Sequence, residues 1–307
     1  MNILIVGLGS IARKHINALK VVKPDAIIYA LRSNPNAEPE EGVENIYSLE
    51  DIAFPVDFAI ISNPSNLHYQ FIEMLAKKDI PLFIEKPAVH SLENTDRLVN
   101  LIEEKQLPTY VACNLRFHPC IAFLKDKIGN GVDRINEINI YCGSYLPDWR
   151  PGKDFRAIYS ANASMGGGVH LDLFHELDYA AWLFGLPLQS TSVLRNVSGL
   201  AIDAIDYANF ILEYDTFTTS IILNYFRRKP KREMEIVFDN ETWTIDIIKA
   251  EVKNDTGDYL LKAPDFNISE TYISQLEYFI NCLKEKQAPM NSFKESLENL
   301  KICLNHE

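Results

Sequence analysis

Three titratable side chains of the sequence stand where they could move a proton. Lys86 directly follows the run Leu82–Glu85, which has the length and composition of a buried strand. A partly desolvated ammonium at the end of such a strand can donate a hydrogen bond to a hydroxyl or exchange a proton with it. Asp172 and His175 lie three residues apart in a helical pattern, so they can share a proton or orient one another. A solvated lysine and a solvated helix face are the simpler interpretations of these residues.

The chain opens with a strand pattern that leads into a glycine-rich turn. Gly7, Gly9 and Ala12 have the spacing G-x-G-x-x-A, and a helical pattern begins at Ser10. Glycines allow a tight turn and a close approach of phosphate, while the N–H groups at the helix N-terminus bind the anion. The pattern therefore predicts a dinucleotide pyrophosphate site formed by Gly7, Gly9, Ser10, Ile11 and Ala12. A chance glycine turn is the alternative.

The residue about twenty positions after the glycine turn bears on the choice of cofactor, because an acidic residue there usually binds the ribose hydroxyls of NAD. This sequence has Arg32 at that position, followed by Ser33, and no carboxylate stands beside them. A guanidinium can pair with a 2'-phosphate through charge-assisted hydrogen bonds. We therefore expect NADP to be favoured over NAD, although NAD stays possible if Arg32 is only an exposed loop residue.

Alternating strand and helix patterns in the first third of the chain provide the elements that position these residues. Such alternation predicts an α/β fold with a doubly wound parallel sheet, forming a dinucleotide-binding domain over residues 1–118. The predicted strands are Ile3–Val6, Ala26–Leu31, Phe58–Ser62, Leu82–Glu85 and Thr109–Cys113, and the predicted helices begin near Ser10, Leu67 and Ser91.

The pattern changes after residue 118 and becomes typical of hairpin-connected strands. We expect residues 119–307 to form an α+β domain for substrate binding, built on a large, mainly antiparallel, open-faced sheet. Its helix from about His170 to Phe184 is predicted to place Asp172, His175, Glu176 and Tyr179 on one face. The other predicted elements are the strands Ile135–Tyr141, Tyr207–Tyr214, Thr218–Tyr225, Glu233–Phe238 and Thr242–Ile248, and the helices Phe123–Lys127, Ser269–Lys286 and Phe293–Leu304.

The composition argues against several classes of function. A net charge of -12 disfavours general nucleic-acid binding, which needs a basic surface. No window reaches about 18 uninterrupted apolar residues, and no signal-like segment precedes the first strand, so we expect a cytoplasmic protein without a membrane partner. The 5 cysteines are scattered and form no C-x-x-C pair, which predicts reduced, buried side chains. No histidine or cysteine spacing predicts a metal site.

Two further motifs accompany the glycine turn: Asn63-Pro64-Ser65-Asn66-Leu67-His68 after the third predicted strand, and Glu85-Lys86-Pro87 after the fourth. Together the motifs resemble the glucose-fructose oxidoreductase/inositol dehydrogenase/MocA (Gfo/Idh/MocA) family, whose usual Thr-Pro-Asn-x-x-His is altered here at residues 63 and 65. The resemblance implies a Rossmann domain and a catalytic set of Lys86, Asp172 and His175, with a spacing one shorter than the D-x-x-x-H of better-known members. It also implies that the cofactor is contacted by Asn63, Pro64, His68 and Glu85.

The resemblance further implies hydride transfer between a nicotinamide and the CH–OH or ketone carbon of a sugar or UDP-sugar-like molecule, in a branch similar to enzymes of bacterial surface-sugar pathways. His175 would be the base, because the ordinary pKa of imidazole lies nearest neutrality, and Lys86 would stabilise the alkoxide. Aromatic and basic side chains suit a sugar ring with anionic groups, and the predicted substrate contacts are Arg116, Trp149, Arg156 and Tyr179. Family members usually pair through the second-domain sheet, which implies a homodimer or homotetramer.

Other functions remain compatible with the glycine turn. A non-catalytic NADP-binding sensor or partner-binding protein on the same fold would need no proton-transfer residues, and a methyltransferase binding S-adenosylmethionine would not need Glu85-Lys86-Pro87. The basic run Arg227–Arg232 is expected to be a solvated turn, or to bind a nucleotide diphosphate if it lies at the same mouth as Lys86.

Overall fold

A computed structural model describes residues 1–305 and divides the chain into two compact units. The first unit comprises Met1–Asn114 and Asn267–Leu297, and the second comprises Leu115–Phe266 and the residues from Glu298 onward. The division differs from the predicted single boundary between residues 118 and 119, because a late segment of the chain returns to the first unit. The reason is apolar burial: Phe279 in this segment packs edge-on against the rings of Phe58 and Phe83 in the first sheet.

The first unit is built on a six-stranded parallel sheet of order β3-β2-β1-β4-β5-β6. The strands are β1 (Asn2–Val6), β2 (Ile27–Leu31), β3 (Val43–Ile46), β4 (Phe58–Ile61), β5 (Leu82–Glu85) and β6 (Thr109–Ala112), and the helices between them are α1 (Ser10–Val22), α2 (His68–Lys77) and α3 (Thr95–Glu104). The predicted doubly wound sheet is confirmed. The order reverses between β1 and β4, the place where open parallel sheets bind ligands beyond the carboxyl ends of their strands.

Most strands of this sheet were predictable because both of their faces are buried and their sequences are continuous apolar runs, as in the Phe-Ala-Ile-Ile of β4. The edge strand β3 was not predicted, since its sequence Val-Glu-Asn-Ile is only partly buried and shows no such run. Helix α1 begins at Ser10, as predicted, and buries Ala12, Ile16 and Leu19.

The second unit contains an eight-stranded sheet of order β14-β13-β12-β11-β7-β10-β9-β8 in which only β7 and β10 pair in parallel. Helix α4 (Pro119–Gly129) precedes the first strand of this sheet, and helices α5 (Val169–Asp172) and α6 (His175–Phe184) lie between its first and second strands. The strands are β7 (Ile135–Tyr145), β8 (Gln189–Arg195), β9 (Tyr207–Glu213), β10 (Thr218–Asn224), β11 (Phe226–Phe238), β12 (Thr242–Asp246), β13 (Glu251–Lys253) and β14 (Tyr259–Lys262). The predicted, mainly antiparallel sheet is confirmed.

Side chains alternate across this sheet, with one face buried and the other uncovered within the unit. The buried face includes Ile138, Ile140, Phe210, Ile221 and Ile236, and the uncovered face includes Asn139, Tyr141, Ser220, Ile222 and Glu235. The basic run at residues 227–232 lies inside β11 and not in a turn, so that prediction was wrong. A register shift between Phe226 and Lys231 allows this irregular stretch to stay in the strand.

The predicted helix from His170 to Phe184 is two helices, α5 and α6, separated by a break at Leu173 and Phe174. Leu173 has φ -96° and ψ 33°, outside helical values, and both residues of the break are buried. The chain ends with α7 (Ser269–Glu285) and α8 (Phe293–Cys303), close to their predicted bounds. All five cysteines are buried, as predicted. None of the helices in residues 1–305 is both long and apolar enough to span a bilayer.

Candidate active site

A cleft of about 630 Å³ opens at the point where the strand order of the first sheet reverses. Of the predicted cofactor residues, Gly7, Gly9, Arg32, Ser33, Asn63 and Pro64 line this cleft. Ser10, Ile11, Ala12, His68 and Glu85 do not line it. Other lining residues were not predicted: Leu67, which lies in the Asn63–His68 motif, and Tyr47, Ser48, Gln70 and Met74, which come from a loop and a helix whose patterns carry no ligand signal.

The glycine turn has the geometry that a dinucleotide needs. Gly7 has φ +81°, and a Cβ atom there would lie 3.0 Å from the Cα of Asn63, so only glycine fits. A Cβ atom at Gly9 would meet no atom within 4 Å, so the space in front of this residue is open. Helix α1 begins here with no side-chain cap and no acidic residue in its first turn, leaving its N–H groups able to bind a phosphate.

Asn63 provides a second observation in favour of a bound cofactor. Both polar atoms of its side-chain amide are buried and lack a hydrogen-bond partner within the described residues. A buried amide without partners is costly in a protein interior, and a polar ligand in the cleft would relieve that cost. The cleft therefore fits a nucleotide cofactor, with Gly7, Gly9 and Asn63 as the residues that would hold it.

Arg32 follows β2, lines the cleft and is partly exposed. Its Nη1 donates to the carbonyl oxygen of Glu38 at 2.7 Å and lies 3.4 Å from Oδ1 of Asn45. No aspartate or glutamate lines the cleft among the described residues. Among the residues that line the cleft, the charged side chain is therefore a cation.

Lys86 lies at the carboxyl end of β5 and is partly exposed, while Glu85 before it is buried. The Oε1 atom of Glu85 is 2.6 Å from Nε2 of His15 in α1, and its Oε2 accepts from the backbone N–H of Lys86 at 3.2 Å. Glu85 was predicted to contact the cofactor. In the structure both of its oxygens are directed at protein donors, so the carboxylate supports the Lys86 turn.

His68 joins this turn to the cleft. Its Nε2 is 2.9 Å from the carbonyl oxygen of Asn63, and its Nδ1 is 3.1 Å from the carbonyl oxygens of Pro87 and Ala88. The ring is 1% exposed, and this burial lowers its pKa. His68 is not among the residues that line the cleft, and its contacts hold the two loops next to each other.

In the second unit, Asp172 and His175 stand out by exposure. Between Gly166 and Ala180 every other residue is buried, so only these two side chains are partly open to solvent. Oδ2 of Asp172 accepts a hydrogen bond from the Tyr225 hydroxyl at 2.5 Å. Tyr225 is fully buried, and burial together with Asp172 raises its pKa well above the ordinary value, so it remains a neutral donor.

The remaining polar residues of α6 are buried in ion pairs and do not form a solvated face. Glu176 accepts from Nε and Nη2 of Arg232 at 2.6 and 3.1 Å. Asp178 accepts from Nε and Nη2 of Arg116 at 2.9 and 2.6 Å. These bidentate pairs fix the helix that presents His175.

Two residues predicted to contact the substrate are buried in the structure. Arg116 is 7% exposed and bound at both oxygens of Asp178, so its guanidinium has a structural partner that the sequence did not predict. Tyr179 is fully buried, which places its ring in the core of the second unit.

The other two predicted contacts lie on the loop that precedes the glycines. Trp149 is partly exposed, donates to Oγ of Ser144 at 2.8 Å and meets the ring of Tyr225 edge-on at 5.3 Å. Arg156 is exposed, with its guanidinium over the ring of Phe155. Tyr225 thus links Trp149 to Asp172, a connection that no local pattern of the sequence could have indicated.

Comparisons with known proteins agree with this geometry. Residues 1–113 match the model of the GFO_IDH_MocA oxidoreductase family, described as an NAD-binding Rossmann fold. The matched family is the one that the motifs of this segment resemble.

Similar proteins also cover most of the chain. Myo-inositol 2-dehydrogenase of Thermotoga maritima is 24% identical over 94% of this chain and 90% of its own length. UDP-N-acetylglucosamine 3-dehydrogenase of Acidithiobacillus ferrooxidans is 23% identical over 80% of this chain and 73% of its own. The dehydrogenase WlbA of Bordetella pertussis, solved with NADH and UDP-GlcNAcA, has a TM-score of 0.84 at 20% identity and covers 99% of this chain and 93% of its own. This last likeness is one of fold.

Proposed function

We propose that this chain, whose residues 1–113 belong to the oxidoreductase family with an NAD-binding Rossmann fold, transfers a hydride between a nicotinamide cofactor and a CH–OH or ketone carbon of a sugar or sugar nucleotide. The observation that carries the proposal is the place of Lys86. One imidazole ring, that of His68, spans from the Asn63 carbonyl at the cleft to the Pro87 carbonyl beside Lys86. The ammonium therefore belongs to the loop next to the cofactor cleft.

The bound nicotinamide would supply the acceptor or donor of the hydride. In the direction of oxidation, His175 would take the proton of the substrate hydroxyl, because neutral imidazole is a suitable base near pH 7. Lys86 would donate a hydrogen bond to the same oxygen and stabilise the negative charge that develops on it. Asp172, held by Tyr225, would orient His175 or share its proton. In the direction of reduction, the same groups would return the proton to the oxygen.

We further propose that the cofactor site accepts NADP in preference to NAD. Arg32, Ser33 and Ser48 line the cleft, and Arg32 stands at the sequence position where an acid usually binds the ribose of NAD. A phosphate on the ribose would gain charge-assisted hydrogen bonds from a guanidinium and from hydroxyls. Because none of the described residues that line the cleft carries a carboxylate, no negative charge there would repel that phosphate.

For the substrate we propose a sugar or UDP-sugar-like molecule of bacterial surface-sugar metabolism. Trp149 and Arg156 would supply an aromatic surface and a cation, which suit a sugar ring and an anionic group. Relatives named for inositol and for UDP-N-acetylglucosamine support this class of substrate. The uncovered face of the second-unit sheet supports a homodimer or homotetramer, which light scattering of the purified protein would test.

The function is tested by following nicotinamide absorbance with NAD+ and NADP+ against a panel of inositols, sugars and UDP-sugars. We expect one class of compounds to be oxidised, and we expect Lys86→Met and His175→Ala to lower kcat by about 100-fold or more. Lys78→Met, at an exposed lysine of the same unit, is the matched control and should keep wild-type turnover. Cofactor binding without turnover of any compound would favour the alternative of a non-catalytic NADP-binding sensor. Full activity of Lys86→Met would refute the catalytic assignment of this lysine.

A further inference from the structure

We propose that His15 is a positioning residue, which acts on Lys86 through the carboxylate of Glu85. The proposal rests on the catalytic role proposed for Lys86. His15 lies in α1, the helix whose N-terminus would bind the cofactor phosphates, and is fully buried. It is not among the residues that line the cleft, and no motif of the sequence singles it out.

The contact is made by one carboxylate with two partners. Oε1 of Glu85 is 2.6 Å from Nε2 of His15, and Oε2 accepts from the backbone N–H of Lys86 at 3.2 Å. Glu85 itself is 8% exposed. The carboxylate thus connects the cofactor helix to the main chain of the lysine, at a sequence separation of 70 residues.

The imidazole ring has little freedom to move. Its neighbours are the ring of Phe83, edge-on at 5.1 Å, and the ring of Tyr272, edge-on at 5.7 Å. Nδ1 of His15 is buried and has no hydrogen-bond partner within the described residues. A proton on Nε2 therefore satisfies the contact with Glu85 and leaves only a lone pair on Nδ1, whereas a proton on Nδ1 would be a buried donor without an acceptor.

The consequence for Lys86 follows from the cost of burying a charge. A buried carboxylate needs hydrogen-bond donors. If the Glu85 carboxylate lost the donor that His15 provides, it would bind another donor within its reach. We take the ammonium of Lys86, the residue whose backbone N–H Glu85 already binds, as the donor that would replace His15. Without His15, Glu85 would compete with the substrate oxygen for that ammonium, so kcat should fall while cofactor binding by the glycine turn persists.

The experiment compares His15→Gln with His15→Asn. The amide nitrogen of glutamine lies the same number of bonds from Cα as Nε2, whereas that of asparagine corresponds to Nδ1. We expect His15→Asn and His15→Leu to lower kcat by about tenfold or more, with little change in KM for the cofactor, and His15→Gln to recover most of that loss. A purely structural role would make the glutamine and asparagine variants equally poor, and wild-type kcat in the asparagine variant would also overturn the proposal.

A second readout needs no turnover. Reductive methylation with ¹³C-formaldehyde labels lysines, and the Lys86 resonance is identified by its absence in Lys86→Met. We expect this resonance to move in His15→Asn and to stay near its wild-type position in His15→Gln, with cofactor fluorescence showing that both variants are folded. An unmoved resonance in the asparagine variant would refute the role of His15. If the wild-type protein turned over no hydroxyl compound, the proposed function would fail while this comparison still decided the role of His15.

Discussion

The replacement of Arg32 by glutamine should change the choice of cofactor without disabling the protein. In the structure, the hydrogen bonds of Arg32 to Glu38 and Asn45 both use Nη1. They anchor the guanidinium at one nitrogen, and the fork carries further donors that could reach a 2'-phosphate. Glutamine keeps a donor for the loop and removes the charge.

The size of the effect follows from the kind of bond that is lost. Hydrogen bonds to charged groups contribute about 1.5–3 kcal/mol, and about 1.4 kcal/mol corresponds to a factor of ten. We therefore expect Arg32→Gln to lower kcat/KM for NADP+ by about 10-fold to 150-fold. NAD+ has no 2'-phosphate, so its kcat/KM should change little.

The assay measures kcat/KM for both cofactors at a fixed saturating substrate, and titration calorimetry with NADPH and NADH gives the same comparison without turnover. Arg13→Gln is the control, because Arg13 is an exposed arginine of the same unit that pairs with Glu40 at 2.8 Å and does not line the cleft. A wild-type preference for NAD+, or an equal loss for both cofactors in Arg32→Gln, would refute the reasoning.

Three other changes test the second unit. Arg232→Met should destabilise the protein by about 3 kcal/mol in urea unfolding, the low end of the range for broken buried ion pairs because Arg232 is partly exposed, and an unchanged midpoint would show that the pair with Glu176 contributes nothing. Tyr225→Phe removes the hydrogen bond to Asp172 and should lower kcat by about tenfold or more without unfolding the protein; an unaffected kcat would remove Asp172 from the proposed proton path. His118 has its pKa lowered from 6.5 to about 4 by burial and by the charge of Arg232, so the unfolded chain binds more protons between these values and stability should fall by about 3 kcal/mol as the pH drops through that window. His118→Asn, which keeps a side-chain acceptor for the N-terminus of α4, should lose this part of the acid sensitivity, and urea midpoints at several pH values will show whether it does.

The features that could be predicted from sequence are those that depend on residues close together in the chain. The glycine turn, the apolar strands and Lys86 at the end of β5 each depend on a short stretch of chain, and their predictions agree with the fold. The break between α5 and α6 escaped prediction because Leu173 and Phe174 continue the apolar periodicity of a helix while their backbone does not.

The contacts that support the site could not be predicted, because topology brings distant residues together. His15 and Glu85 are 70 residues apart, Glu176 and Arg232 are 56 apart, and Asp172 and Tyr225 are 53 apart. A helical pattern identifies the polar residues of α6 but cannot tell a solvated glutamate from one buried against an arginine. Such pairs become visible only when the sheet order is known.

The central claim is direct hydride transfer between a substrate carbon and the nicotinamide, and isotope tracing tests it most directly. The substrate found in the panel is prepared with deuterium on its reacting carbon, and the reduced cofactor is examined by proton NMR at C4. We predict that deuterium appears on one face of C4 in wild-type protein and that its transfer slows in Lys86→Met. Deuterium released to solvent, or a cofactor that stays unlabelled while substrate is consumed, would contradict the account.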